Sequence, residues 1–150
     1  MEKNVLSLPE YQAKAARYAA AAEHCESEVR DKLYQWQCPS AWMDTIIDYL
    51  YDNNYLNDER YCHAFVHDKF TYQSWGPVKI KAMLSAKRLP SALIQKALLD
   101  IEENDLDRTL NHLIEQKKST GRERLVRFLL QRGFTYEQIR SKISLSDLTD

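Results

Sequence analysis

Glycine is scarce in this chain: three in 150 residues, at Gly76, Gly121 and Gly133. That scarcity excludes the usual phosphate-cradling loops, and no G-x-x-x-x-G-K-[ST], G-x-G-x-x-G or G-x-S-x-G pattern occurs. The three cysteines, Cys25, Cys38 and Cys62, form no C-x-x-C pair and are odd in number, which argues against a disulfide framework or a cysteine zinc site. They read as buried or half-buried free thiols. No apolar run has the length of a membrane span. The opening MEKNVLSLPEYQ carries Glu2 and Glu10 and lacks a signal-peptide core, so the cytoplasm is the expected location. A catalytic constellation is missing too. His63 and His67 have the i, i+4 spacing of a zinc helix, but Ala64 stands where a zincin needs its glutamate. They read as helix-surface histidines. Asp58-Glu59 and Glu102-Glu103 read as helix-end and solvated carboxylates rather than acid/base pairs. These absences point away from an enzyme, and no cofactor or metal is expected.

What is present favours helix. Ala, Leu, Lys, Arg, Glu, Asp and Gln are plentiful, and most of them lose little side-chain freedom in a helix. Charge is uneven along the chain. Residues 1–75 hold 7 Lys+Arg against 12 Asp+Glu, and residues 76–150 hold 14 against 10. A basic half suggests a polyanion or an acidic protein surface as partner.

The clearest local pattern runs from Tyr55 to Leu84. Asn57 is a good N-cap, with Asp58 and Glu59 in the first turn. Tyr61, Cys62, Phe65, Val66 and Lys69 follow at helical spacing. Trp75-Gly76-Pro77 breaks that helix and opens another, with Pro77 in its first turn and Ile80, Met83 and Leu84 as its apolar stripe. Upstream, an Ala-rich helix runs from Pro9 to about His24. A second carries Val29, Leu33 and Trp36, and a third Trp42, Met43, Ile46, Ile47 and Leu50. Downstream, Ile94, Leu98 and Ile101 mark one helix, and Leu106, Leu110, Leu113 and Ile114 another. The last two carry Leu125, Phe128 and Leu129, then Ile139 and Ile143, with Gly133 as a C-terminal cap between them. The tail SDLTD is expected to fray.

These segments repeat. The stretches beginning at Val29, Ile80 and Leu125 align at offsets of 51 and then 45 residues. Leu33, Leu84 and Leu129 coincide. So do Cys38-Pro39, Leu89-Pro90 and Phe134-Thr135, then Met43, Ile94 and Ile139, then Ile47, Leu98 and Ile143. The pattern predicts an all-α protein of three tandem three-helix repeats at 9–54, 55–103 and 104–146. A unit this small buries little alone, so neighbours should pack end to end in an elongated, curved array.

YLNDERYCHAFVHDK followed by WGPVKIKAML resembles the central signature of the RecX family, through Leu56, Asp58, Tyr61, Phe65, Val66, Gly76-Pro77, Ile80 and Leu84. The resemblance spans nearly the whole chain and is most specific in the middle repeat. It implies tandem three-helix repeats and a regulator of the RecA recombinase, in DNA repair, homologous recombination and the SOS response. Such a protein lies in the groove of a RecA–DNA filament and touches more than one protomer. It restrains filament growth, strand exchange, ATP hydrolysis and coprotease activity.

Candidate partner-binding residues follow from the basic half. The second helix of the middle repeat offers Lys79, Lys81, Lys87 and Arg88, with nothing acidic between Gly76 and Arg88. The last repeat offers Lys117, Lys118, Arg122, Arg124, Arg127 and Arg132. Arg124 and Arg127 share a strip with Gln131, away from Leu125 and Leu129. Clusters on equivalent helices could lie along one side of an array and contribute modest contacts that add up. The expectation is a monomer that targets the filament and binds bare DNA weakly, because the N-terminal half is acidic. The alternative is a helix-turn-helix-like DNA-binding transcription regulator, with one recognition helix and a dimer on a palindromic site.

Overall fold

The computed structural model describes residues 5–143, and these contain helices and no strand. The helices are α1 (Leu8–Ala21), α2 (Glu26–Gln35), α3 (Ser40–Asp52), α4 (Asp58–Gln73), α5 (Pro77–Ala86), α6 (Ser91–Leu98), α7 (Glu103–Lys117), α8 (Arg122–Arg132) and α9 (Tyr136–Lys142), with a short 3-10 turn at Lys118–Thr120. The last residues of the third repeat, 144–146, and the tail expected to fray lie outside the described residues.

Local chemistry sets the boundaries. Ser7 and Glu10 cap α1 reciprocally, and Pro9 sits in its first turn. The Asn57 side chain accepts from the Arg60 amide at 2.9 Å and starts α4. Thr135 and Gln138 form a capping box on α9.

The helices pack as three successive units, α1–α3, α4–α6 and α7–α9, each around its own core. Equivalent positions do equivalent work. Val29, Ile80 and Leu125 are fully buried, as are Leu33, Leu84 and Leu129, while Cys38, Leu89 and Phe134 are buried one turn later. The second helix of each unit starts at Glu26, Pro77 or Arg122, and the third at Ser40, Ser91 or Tyr136.

A shared backbone feature also ends the second helix of each unit. Gln37, Arg88 and Gly133 hold left-handed φ values of 63°, 66° and 100°. In each case the next amide reaches back to a fully buried leucine's carbonyl: Cys38 to Leu33 at 2.9 Å, Leu89 to Leu84 at 3.2 Å and Phe134 to Leu129 at 3.2 Å. This is the Schellman closure, in which the turn places an apolar residue back against the core. Only the third unit uses glycine there, so sequence made the feature visible at Gly133 alone.

Some core expectations change. Met83 is 39% exposed, because the inward face of α5 is taken by Ile80 and Leu84. Met83 lines a cleft between the first and second units with Phe65 and Trp75. Trp36, Trp42, Phe65 and Phe128 pack against their cores only half-buried. Ile101 packs on the second core from beyond the end of α6.

The two joints between units differ. Side chains make the first. Cys25, the residue before α2, is buried in the second unit's core. Lys87 meets Glu28 at 3.1 Å, Arg60 meets Glu23 at 2.7 Å, and the Tyr51 hydroxyl donates to Asp58 at 2.8 Å. Backbone makes the second. The Gly76 amide donates to the Arg132 carbonyl at 2.7 Å, and the Val78 amide to the Gly133 carbonyl at 2.9 Å. The C-terminus of α8 thus abuts the N-terminus of α5, which also aligns their dipoles favourably. In the first unit the equivalent carbonyls, of Trp36 and Gln37, accept from the Tyr11 hydroxyl at 3.0 and 3.2 Å. Among the described residues no hydrogen bond or ion pair links the first unit to the third.

Candidate partner-binding surface

The joint between α8 and α5 organises the basic residues. Lys79 is half-buried beside it, with its ammonium 4.2 Å from the centre of the Trp75 ring. Arg132 donates to the Gln73 carbonyl at 2.6 Å and lies 5.2 Å from the Phe128 ring centre, so its guanidinium is engaged in holding the two units together. Lys117 sits 5.4 Å from the same ring. Lys118 pairs with Glu115 at 2.9 Å. Lys81, Arg88, Arg122, Arg124 and Arg127 are exposed, and among the described residues none has a carboxylate within ion-pair distance.

From Arg124 to the joint the basic residues cover roughly 12 Å of α8 at 1.5 Å per residue, while Arg88 lies beyond the end of α5 at Ala86. The structure brings Lys79 and Arg132 to one joint, and Arg122 and Arg127 to one groove between α8 and α9. Arg88 stands apart from these. It lines a small cleft at the first joint, beside Glu26 and Asp58. Arg140, on the third helix of the last unit, joins Arg122 and Arg127 at their groove. Sequence reasoning passed over it because it was not on the helix where the other arginines cluster. Comparing repeat columns for charge as well as for apolar residues would have found it.

The N-terminus of α5 is closed to ligands. Its first amides are used by unit-three carbonyls, so no phosphate can take them without opening the joint. The acidic side of the molecule is also partly occupied. Burial pushes the Glu28 carboxyl up, but the Cys25 amide, Lys87 and His24 outweigh it and hold it below the usual carboxylate range. Burial also pushes the Cys62 thiol up to about 11, which leaves it protonated and unreactive at neutral pH. His63 bonds to Asp100 across to the end of α6, and His67 pairs with Asp68 at 3.2 Å, so the two do not converge on a common centre. Among the described residues no group of three or more His, Cys, Asp or Glu could hold a metal, and no helix is long and apolar enough to cross a membrane.

A family model described as RecX, second three-helix domain, matches residues 57–98, from the cap of α4 to the end of α6. The chain is 30% identical over 138 residues to the regulatory protein RecX of Clostridium beijerinckii, covering 83% of this chain and 64% of that protein. These likenesses support the RecX family. It spans less than two thirds of the Clostridium relative's length. It covers more of the regulatory protein RecX of Leptothrix cholodnii, which is 28% identical over 89% of this chain and 87% of that one. The fold agrees: the crystal structure of RecX from Lactobacillus salivarius superposes with a TM-score of 0.77 at 23% identity, over 89% of this chain and 92% of that one. Like the RecX fold, the array is three three-helix units in tandem, and its middle unit carries the family signature.

Proposed function

We propose that this protein is a non-enzymatic regulator that binds RecA–DNA filaments as a monomer in the cytoplasm and restrains RecA's recombinase, ATPase and coprotease activities. The observation that supports this most is the likeness to regulatory proteins named RecX along most of the chain. The geometry fits such a role. An elongated array with exposed cations on α5 and α8 can reach adjacent filament protomers, so that several modest contacts add through effective concentration. The proposed contact residues are Lys79, Lys81, Arg88, Arg122, Arg124 and Arg127, with Lys117, Lys118 and Arg132 at the edge because their charges already have local partners. A helix-turn-helix reading gains little, because a recognition helix presents its N-terminal residues to the groove and the N-terminus of α5 is covered.

The test is RecA's DNA-dependent ATP hydrolysis with this protein added in substoichiometric amounts. The expected result is a steep fall without matching affinity for bare duplex, and reversal of Lys79, Lys81, Arg88, Arg124 and Arg127 to Glu should abolish it with helical content unchanged. No inhibition by the wild type, with RecA from the same source, would sink the proposal.

A further inference from the structure

The three units allow a position-by-position comparison that isolates one site. In the first unit Arg30 lies between two acids: its Nε donates to Glu26 at 2.9 Å, on α2, and its Nη2 to Asp44 at 2.9 Å, on α3. This acid–Arg–acid clamp bridges α2 and α3 with its charges satisfied. The equivalent residues in the second unit are Pro77, Lys81 and Gln95. In the third unit they are Arg122, Val126 and Arg140. Both flanking charges are inverted, and the bridging side chain is lost.

That third-unit position lies in a groove of about 520 Å³ between α8 and α9. Val126, Leu130 and Tyr136 supply an apolar lining, and Leu130 is 46% and Tyr136 55% exposed. Their counterparts are Arg30, Tyr34 and Ser40 in the first unit, and Lys81, Ser85 and Ser91 in the second. At the positions of Val126 and Leu130 only the third unit therefore carries aliphatic side chains. Arg122, Arg127 and Arg140 also line the groove. Glu123 is there as well, but it makes no ion pair with them among the described residues.

We propose that the α8–α9 groove docks a segment of a partner protein that carries a carboxylate beside a bulky apolar side chain. The carboxylate sits between Arg122 and Arg140, over Val126, and restores in trans the alternation that Arg30 makes in cis in the first unit. The apolar neighbour covers Leu130 and Tyr136. Arginine suits this task because its fork matches a carboxylate in two bonds. A phosphodiester backbone would satisfy the arginines but gain nothing from the aliphatic lining. The proposal rests on the partner-binding reading above and names the chemistry of one contact.

The experiment uses a short fluorescein-labelled peptide of alternating leucine and aspartate, read by anisotropy. Two control peptides replace aspartate by lysine or leucine by serine. The 150-residue chain should prefer the leucine–aspartate peptide. Arg140→Glu should weaken it tenfold or more, about 1.4 kcal/mol. Val126→Glu should do the same, because the new carboxylate closes the groove on Arg122 and Arg140. Arg17→Glu, an equal charge change on exposed α1, should alter binding less than twofold. Unchanged helical content in each variant excludes misfolding as the cause. Equal binding of all three peptides, or indifference to the groove variants, would overturn the proposal. So would loss of affinity for a single-stranded oligonucleotide in those variants with the peptide unaffected, which would make the groove a nucleic-acid contact. A drop in solution mass in the variants would make the occupant a second copy and overturn it too. The peptide assay contains no filament, so its outcome is independent of the ATPase test.

Discussion

Replacing Gly76 by alanine should separate the second and third units. A Cβ at Gly76 would lie 2.4 Å from the Gly133 carbonyl oxygen, 2.5 Å from its carbon and 2.8 Å from the Phe134 nitrogen. All three are backbone atoms, so no side chain can swing away. Relief needs about 1 Å of movement, which lengthens the 2.7 Å Gly76–Arg132 bond and the 2.9 Å Val78–Gly133 bond beyond hydrogen-bonding range. Each bond contributes about 1 kcal/mol, and a buried amide left unpaired costs about 1–3 kcal/mol. The residue's own conformation adds no penalty. Gly76 has φ −79° and ψ 166°, which alanine adopts freely, and restricting the unfolded chain favours alanine by about 0.4–1 kcal/mol. The net expectation is a loss of about 2–4 kcal/mol. Urea unfolding followed by circular dichroism measures it, with Trp75 fluorescence reporting on the joint. Gly121→Ala is the control: nothing lies within 4 Å of a Cβ there, so only its φ of 100° costs anything. An alanine at Gly76 that left stability unchanged, or raised it, would refute the claim that these backbones touch.

Arg88→Gly and Gln37→Gly should each stabilise the protein by roughly 1 kcal/mol in thermal or urea unfolding, since both residues hold left-handed backbone that glycine adopts without strain. Gly133→Ala should do the reverse and more, because it combines φ 100° with a Cβ 2.4 Å from that of Lys79. The carboxyl of Glu28 is depressed in the folded state, so its contribution is complete above the ordinary carboxylate pKa and disappears as pH falls through the folded value. Glu28→Gln should therefore cost about 1 kcal/mol at neutral pH, and the gap to wild type should close in unfolding curves as pH falls below the ordinary carboxylate range.

Apolar periodicity in the sequence reached the helices and the three cores because burial at 3.6-residue spacing leaves a direct trace. Leu33, Leu84 and Leu129 are the clearest case. It did not reach features that depend on backbone meeting backbone. Gly76 was legible as a helix break, but its approach to Gly133 across 57 residues leaves no local pattern. Cys25 packs into the neighbouring unit's core, and a helix-by-helix search for stripes assigns such a residue to its own unit. The basic candidates were legible as charges, yet which of them are already engaged was not. Arg132 reads like Arg127 in sequence and differs only because Gln73 and Phe128 are brought to it. Val126 and Leu130 were hidden for a related reason: beside Leu125 and Leu129 they pass as a broader core stripe.

The contrast between the two joints gives the array one compliant hinge and one stiff one. At the first, Lys87–Glu28 and Arg60–Glu23 are partly exposed ion pairs that salt screens and acid dissolves. At the second, the backbone amides and carbonyls carry no charge to screen, and the Arg132 guanidinium on the Gln73 carbonyl is the charged contact beside them. Added salt should thus loosen the first unit while α5 and α8 travel together as a single lever. A partner gripping both helices would meet a spacing that it cannot adjust, because the joint holds the arginines of α8 and the lysines of α5 at a fixed separation.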